Sequence, residues 1–176
     1  MIDLQQGIAG HAVAPHSGAD VVARARQLAD AMRAKGAPIV WVRVLLNELN
    51  LPPADAPSRA PGAPPAPAEA SEIVPETGIQ PGDIVVAKRQ WGAFYGTDLE
   101  LQLRRRGIAT IVIGGIATNF GVESTARAAF DRGFGLMFAE DATASLDAEM
   151  HRFCFTKIFP RMGHVRSTQQ VIDALA

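Results

Sequence analysis

Two charged side chains and one glycine-containing turn are the candidates for chemistry in this chain. Asp3 follows a short apolar start, Lys88 directly follows the apolar run 84–87, and the turn from Gly115 to Gly121 follows a third apolar run. Each therefore lies at the carboxyl end of a predicted strand. In open parallel sheets, ligands bind beyond these ends, where the strand order reverses. We therefore expect the three segments to form one site.

A carboxyl group beside an ammonium group suits general acid–base chemistry. Burial would raise the pKa of Asp3 and the cation of Lys88 would lower it, so acid catalysis requires the effect of burial to dominate. The residue types alone leave other roles open. An aspartate in this position is commonly a turn or capping residue, and a lysine at a strand end is commonly solvated.

The elements that must position these residues alternate between strand-like apolar runs and helix-like patterns. This alternation predicts an α/β fold with a parallel sheet. Predicted strands cover 39–45, 84–87, 110–114 and 135–139, with a short last strand at Val165. Predicted helices lie at about 21–32, 97–107, 122–130 and 147–159, and a terminal helix follows Ser167. Thr97 with Glu100, and Ser167 with Gln170, have the spacing of capping boxes.

Residues 47–81 have a different composition from the rest of the chain. Nine of the twelve prolines lie in this range, mixed with alanine. Such a segment sustains neither a helix nor a central strand. It predicts a long surface loop with polyproline character, and the alternative is a lid or an arm that contacts another subunit, because long loops in compact domains are often functional.

Length and composition are typical of one soluble domain covering 1–176. The net charge of −1 provides no basic surface for nucleic acid and no polybasic patch for a membrane. No apolar run reaches the roughly 20 residues that a membrane span needs. The single cysteine, Cys154, allows no internal disulfide and agrees with a cytoplasmic location. It falls in an apolar helical pattern typical of an inert core thiol.

The sequence predicts neither a metal nor another cofactor. The four histidines, His11, His16, His151 and His164, do not have the spacing of zinc ligands. Gly114 and Gly115 lack the later glycines of a dinucleotide-binding fingerprint. These two glycines instead permit a tight turn from strand to helix. Asn119 in the following segment suits either a helix cap or a side chain that reaches into a pocket.

Two motifs resemble the isochorismatase-like (cysteine hydrolase) family. Residues 115–125 resemble its G-x-x-T-x-x-C-V-x-x-T signature, with Gly121 in the place of the nucleophilic Cys. Residues 88–94 resemble its K-x-x-x-S-A-F segment, with Gly92 in the place of Ser. The resemblance covers essentially the whole chain and is strongest to the YecD-like branch. It implies that Asp3 and Lys88 are catalytic and that Trp91 and Phe94 line the substrate pocket.

The resemblance also implies the fold and the form of the turn. The family has a Rossmann-like, doubly wound parallel sheet of about six strands with helices on both faces, and it forms homo-oligomers. Its first strand is central, and here that strand is nearly absent. This suggests that the natural chain begins upstream of Met1, and the alternative is a very short first strand. A cis peptide bond is implied between Ile116 and Ala117. This bond would aim the amides of Ala117 and Gly121 at one anion pocket.

Three functional hypotheses follow from these residues. The first is a metal-independent hydrolase of a small, anionic metabolite, such as an enol ether, that uses Asp3 and Lys88 without a covalent intermediate. True isochorismatases, which also carry Gly at the nucleophile position, suggest this chemistry. The second is a family member without catalysis that serves as a small-molecule binding or assembly protein. The third is amide hydrolysis by a thiol, for which only Cys154 is available.

Overall fold

A computed structural model of the chain describes residues 1–49, 52–57, 59–60 and 62–175. It has five parallel strands, β1 (Val40–Val44), β2 (Ile84–Lys88), β3 (Thr110–Ile116), β4 (Gly135–Ala144) and β5 (His164–Arg166). Strands β1 and β2 pair with each other, and β3, β4 and β5 pair in that order. The predicted parallel α/β fold is confirmed, although the strand count is one below the expected six.

A single residue, Ile2, fills the remaining place in the sheet, between β1 and β3. It forms parallel bridges to Val42 of β1 and to Gly115 of β3, so it joins the two groups of strands. Its amide donates to the Gly114 carbonyl at 2.9 Å, and its carbonyl accepts from the Ile116 amide at 3.0 Å. Across the sheet the order is β2, β1, Ile2, β3, β4 and β5. With Ile2 counted as the first strand, this is the order 3-2-1-4-5-6 in chain numbering. This is the order of doubly wound sheets, with its reversal between Ile2 and β3.

Gly115 makes the approach of Ile2 possible. Its φ is +128°, and a Cβ there would lie 2.1 Å from the Ile2 carbonyl oxygen. Any side chain at this position would therefore collide with the backbone that fills the centre of the sheet. The glycine at the end of β3 is thus required by the place of Ile2, and by the place of Asp3 that follows it.

Within the described residues, six α-helices connect and cover the strands. They are α1 (Gln6–Ala9), α2 (Gly18–Ala34), α3 (Leu99–Arg104), α4 (Glu123–Asp131), α5 (Ala148–Phe153) and α6 (Thr168–Asp173). On one face of the sheet, a core cluster packs against α3, α4 and the π-helical turn Cys154–Ile158 that follows α5. On the other face, two clusters pack against α2, and one of them also packs against α6. Neighbouring residues of β4 alternate between the two faces, since Phe138 belongs to the first cluster and Ala139 to a cluster on the opposite face. Helices therefore cover both faces of the sheet, as predicted.

Of the two predicted capping boxes, one is confirmed and one is wrong. Ser167 accepts from the Gln170 amide, and the Gln170 side chain accepts from the Ser167 amide. Helix α3 instead begins after Asp98 and has no capping box. The Glu100 carboxylate pairs with Arg132, 2.9 Å away, so it does not reach back to the start of its helix.

Among the described helices, none combines the length and apolar character that a membrane crossing needs.

The last part of the predicted proline-rich loop has helical structure and packs against the N-terminal segment. Asn50, Leu51, Ser58 and Pro61 of this segment lie outside the described residues. Its last part forms the short 3-10 helices Ala68–Ser71 and Pro75–Thr77. This part packs along the N-terminal segment, where the Gln6 amide donates to the Glu72 carbonyl at 2.9 Å and the Val74 amide to the Leu4 carbonyl at 3.1 Å. The loop thus supports the chain that follows Asp3.

Candidate active site

A buried ion pair lies at the carboxyl ends of the strands. The Lys88 ammonium is at the end of β2, and it donates to Asp3 Oδ2 at 2.7 Å. Lys88 is 1% exposed and Asp3 is 5% exposed. The Lys88 ammonium also donates to the Trp91 carbonyl at 2.5 Å. The sheet therefore brings together two residues 85 positions apart, and the side chain of each is held by the other.

The Asp3 carboxyl group is under electrostatic and conformational constraint. Burial raises the pKa of Asp3 to about 6, although the adjacent Lys88 ammonium acts to lower it. The second carboxyl oxygen, Oδ1, is buried and has no hydrogen-bond partner among the described residues. The backbone φ of Asp3 is +54°, and aspartate and asparagine tolerate this region better than most residues. Such a carboxyl group can hold and release a proton near neutral pH.

Gly121 lies against this ion pair. A Cβ at position 121 would be 2.9 Å from Asp3 Oδ2, 3.1 Å from Lys88 Nζ and 3.0 Å from Ile2 Cγ2. The residue at 121 therefore faces the carboxylate and the ammonium directly. Because glycine ends at the Cα atom, the place where a nucleophilic side chain would begin contains no reactive group.

The turn that carries Gly121 is an irregular start of a helix. The bond between Ile116 and Ala117 is cis, and a π-helical turn spans Thr118–Val122 before α4. The Ala117 carbonyl accepts from the amides of Phe120 and Val122 at 3.1 and 3.2 Å. The joint use of the Ala117 and Gly121 amides as an anion pocket stays a prediction.

The predicted pocket residues have different environments. Trp91 is 48% exposed, and its ring packs edge-on against Phe120, with 4.9 Å between the centroids. It thus offers an apolar surface beside the turn. Phe94 is buried in the core against Phe134, and it borders an apolar cavity shared with residues at the amino ends of β1 and β3, such as Val40 and Ile111. That cavity extends away from the strand ends at which the ion pair lies.

Asn119 does not cap a helix. Its Oδ1 accepts from the Ser145 hydroxyl at 2.5 Å, and its Nδ2 donates to the Met150 sulfur at 3.4 Å. The side chain therefore ties the turn to the end of β4 and to α5. This tie fixes the backbone that leads to Gly121.

Sequence reasoning missed one positioning residue, Gln5. This buried side chain accepts from the Val44 amide at 2.8 Å and donates to the Val44 carbonyl at 2.9 Å. It also donates to the Ala70 carbonyl at 3.1 Å. Gln5 thus fixes the N-terminal segment to the end of β1 and to the long loop. A glutamine two places after the candidate acid, in a segment of apolar residues, was the available signal.

The predicted inert character of Cys154 agrees with its surroundings. The thiol is buried and donates to Glu123 Oε2 at 3.1 Å. Burial and the Glu123 carboxylate raise the pKa of Cys154 to about 12. Its thiolate is therefore scarce at neutral pH, and the thiolate is the nucleophilic form of cysteine.

The fold, with this site at its strand ends, is that of the isochorismatase-like hydrolases. The family profile of the Isochorismatase domain matches residues 1–170. The chain therefore belongs to the isochorismatase family, as the sequence motifs indicated. It is 48% identical, over 99% of its length and 94% of the relative's, to the isochorismatase family protein YecD of Escherichia coli O157:H7.

One solved structure, and one relative that matches over part of its length, extend this comparison. The structure of an isochorismatase family protein from Burkholderia thailandensis matches with a TM-score of 0.92 and 43% identity, over 99% of this chain and 92% of that one. The ureidoacrylate amidohydrolase RutB of Methylobacterium radiotolerans is 39% identical over 97 residues, which cover 54% of this chain and 38% of that protein. The family thus includes amidohydrolases.

Proposed function

We propose that this protein hydrolyses a small anionic metabolite, with Asp3 as general acid and no covalent intermediate, and that the substrate is an enol ether. The observation that carries the proposal is the buried Asp3–Lys88 pair in contact with a glycine at the nucleophile position. This arrangement keeps a proton donor and provides no side-chain nucleophile. Enol-ether hydrolysis needs the first and not the second.

The reaction proceeds by proton transfer to carbon. The Asp3 carboxyl group gives its proton to the terminal methylene carbon of the enol ether, and the ether oxygen stabilises the resulting oxocarbenium ion. Water adds to the cationic carbon and loses a proton to the Asp3 carboxylate. The hemiketal then breaks down to a ketone and an alcohol. With a pKa of about 6, roughly one Asp3 in ten is protonated at pH 7.

Lys88 and the glycine have supporting roles in this proposal. The Lys88 ammonium is held by Asp3 and by the Trp91 carbonyl, so it orients the acid and stabilises nearby negative charge on a carboxylate substrate. Gly121 places no side-chain nucleophile against the pair, so water is the attacking nucleophile. The amides of Ala117 and Gly121 would bind the substrate anion, and Trp91 would supply an apolar wall.

The amide hydrolysis of RutB is not extended to this chain. That route would need a thiolate at the site, and position 121 has no side chain. The Cys154 thiol is bonded to Glu123, with its pKa raised to about 12. The alternative that the same observation favours is a binding protein, in which the pocket captures an anionic metabolite without turnover.

An assay with a synthetic carboxyvinyl ether tests the proposal. The wild-type protein should release pyruvate, and in D₂O the product should carry one deuterium from the solvent in its methyl group. Asp3→Asn should lower kcat by about 10²- to 10⁴-fold, the usual contribution of a general acid. Asparagine tolerates the positive φ at this position, so the fold should survive the change.

A matched control and a binding measurement separate the outcomes. Asp131→Asn makes the same chemical change at an exposed position and should leave the rate unchanged. Equal rates for wild type and Asp3→Asn would remove Asp3 as the acid. Tight calorimetric binding of anionic metabolites, with no product from any enol ether, would instead support the binding protein.

A further inference from the structure

Three potential metal ligands converge beside the turn that carries Gly121. They are His16, His151 and Glu140, and each offers one ligand atom within 4.8 Å of the ligand atoms of the other two. Glu140 Oε1 is 3.1 Å from His16 Nε2 and 2.9 Å from His151 Nε2. In a tetrahedral zinc site, bonds of 2.0–2.2 Å separate neighbouring donor atoms by roughly 3.3–3.6 Å. The two distances to Glu140 Oε1 would therefore have to widen by roughly 0.2–0.7 Å to admit a zinc ion.

Three separate elements supply these ligands. His16 lies just before α2, Glu140 is on β4 and His151 is on α5. The segment before His16 is held in place, since Ala14 exchanges two backbone hydrogen bonds of 2.8 Å with Ser145. The three donors are therefore positioned by the fold and not by one flexible loop.

His151 has the surroundings of an oriented metal ligand. It is 3% exposed, and its ring stacks on Phe155, with 4.4 Å between the centroids. Its other ring nitrogen, Nδ1, lies 2.9 Å from the Thr118 hydroxyl oxygen. When Nδ1–H donates to this oxygen, the lone pair of Nε2 faces the other two donors. A second hydrogen bond of this kind is typical of histidines that bind metals.

We propose that His16, Glu140 and His151 form a binding site for a divalent first-row transition metal of the zinc type. Two imidazoles and one carboxylate match the ligand preference of this class better than that of Mg²⁺ or Ca²⁺. Thr118 belongs to the same turn as Gly121, so the bound metal would hold that turn through His151. The proposal is independent of the hydrolysis proposed for Asp3, and no step of that reaction passes through the metal.

Zinc titration of protein stripped with a chelator tests this site, with a chromogenic chelator as competitor. The wild-type protein should bind one Zn²⁺ per chain and melt at a higher temperature with zinc. Glu140→Gln and His16→Asn should each weaken binding by about 100-fold or more, and Thr118→Val by about 10- to 100-fold. Mg²⁺ at the same concentration should not displace zinc. His11→Asn, at an exposed position, is the matched control and should bind zinc like the wild type.

Two outcomes would overturn the assignment. One is the absence of stoichiometric zinc binding by the wild-type protein. Another is equal affinity in Glu140→Gln, His16→Asn and the wild type. Circular dichroism of the metal-free variants checks their fold. His16 is a partly exposed residue outside the helices, so its replacement keeps the test valid even if a variant at the buried His151 does not fold.

Discussion

Replacement of Gly121 by alanine tests the contact on which the site depends. The new methyl group would lie 2.9 Å from Asp3 Oδ2, 3.0 Å from Ile2 Cγ2 and 3.1 Å from Lys88 Nζ. Ordinary contacts of a Cβ atom begin near 3.4 Å, so the three neighbours must each retreat by about 0.3–0.5 Å. The Lys88 ammonium can do so only by lengthening its hydrogen bonds to Asp3 and Trp91. Ile2 is bridged to strands on both sides, which restricts the shift of its side chain.

The magnitude follows from two opposing effects. In a helical turn without positive φ, Gly→Ala is worth about 1 kcal/mol of added stability. Overpacking of a well-packed site costs about 1–3 kcal/mol. We therefore expect Gly121→Ala to destabilise the fold by roughly 0–2 kcal/mol, and to lower the Tm by up to about 8 °C for a chain of this size. A displaced acid should also lower turnover of the enol ether by about 100-fold.

Thermal and urea denaturation at pH 7 provide the assay, with Gly92→Ala as the matched control. A Cβ at Gly92 would meet nothing closer than 3.7 Å, so this variant should be as stable as the wild type or more so. A second comparison introduces Gly121→Ala into an Asp3→Ala background. Removal of Oδ2 should reduce the cost of the methyl group, and the double-mutant cycle measures that coupling.

A Gly121→Ala protein stabilised as much as Gly92→Ala would contradict the expected contact. So would a methyl group that cost the same stability in the wild-type background and in the Asp3→Ala background. Either result would mean that the Asp3–Lys88 pair does not lie against position 121 in solution. The geometric basis of the proposed reaction would then be lost.

Three further predictions concern ionisation and reactivity. Because Asp3 must be protonated to act as the acid and its pKa is raised to about 6, kcat/KM for the enol ether should fall about tenfold per pH unit above pH 7; a flat profile to pH 9 would exclude this role. The raised pKa of Asp3 also means that the folded state binds more protons than the unfolded state between about pH 4 and 6. The contribution of Asp3 to stability should therefore fall as pH rises through that window. Urea denaturation at several pH values should find this dependence reduced in Asp3→Asn. The Cys154 thiol, with its pKa raised to about 12, should react with iodoacetamide at pH 7.5 only after unfolding. If mass spectrometry detected rapid labelling of the native protein, amide hydrolysis by this thiol would again be a candidate.

The sequence alone determined most of the local structure. The apolar runs before Lys88 and before Gly115 are strands because continuous β-branched and apolar residues suit a sheet covered on both faces. The second capping box formed because both its hydrogen bonds join residues of one helical turn. Motif spacing also identified Asp3 and Lys88 as candidates. It did so because chemistry at strand ends in a doubly wound sheet needs residues at predictable places along the chain.

Interactions between distant segments depend on how the folded elements pack and are not encoded in local patterns. Glu100 was drawn away from its predicted cap by Arg132, which is 32 positions later in the chain. The grouping of His16, Glu140 and His151 has no signature in sequence spacing, since it depends on how a loop, a strand and a helix pack. Burial sets the pKa of Asp3, and burial follows from the position of Ile2 between β1 and β3. Local patterns fix the elements, whereas distances and desolvation arise only when those elements meet.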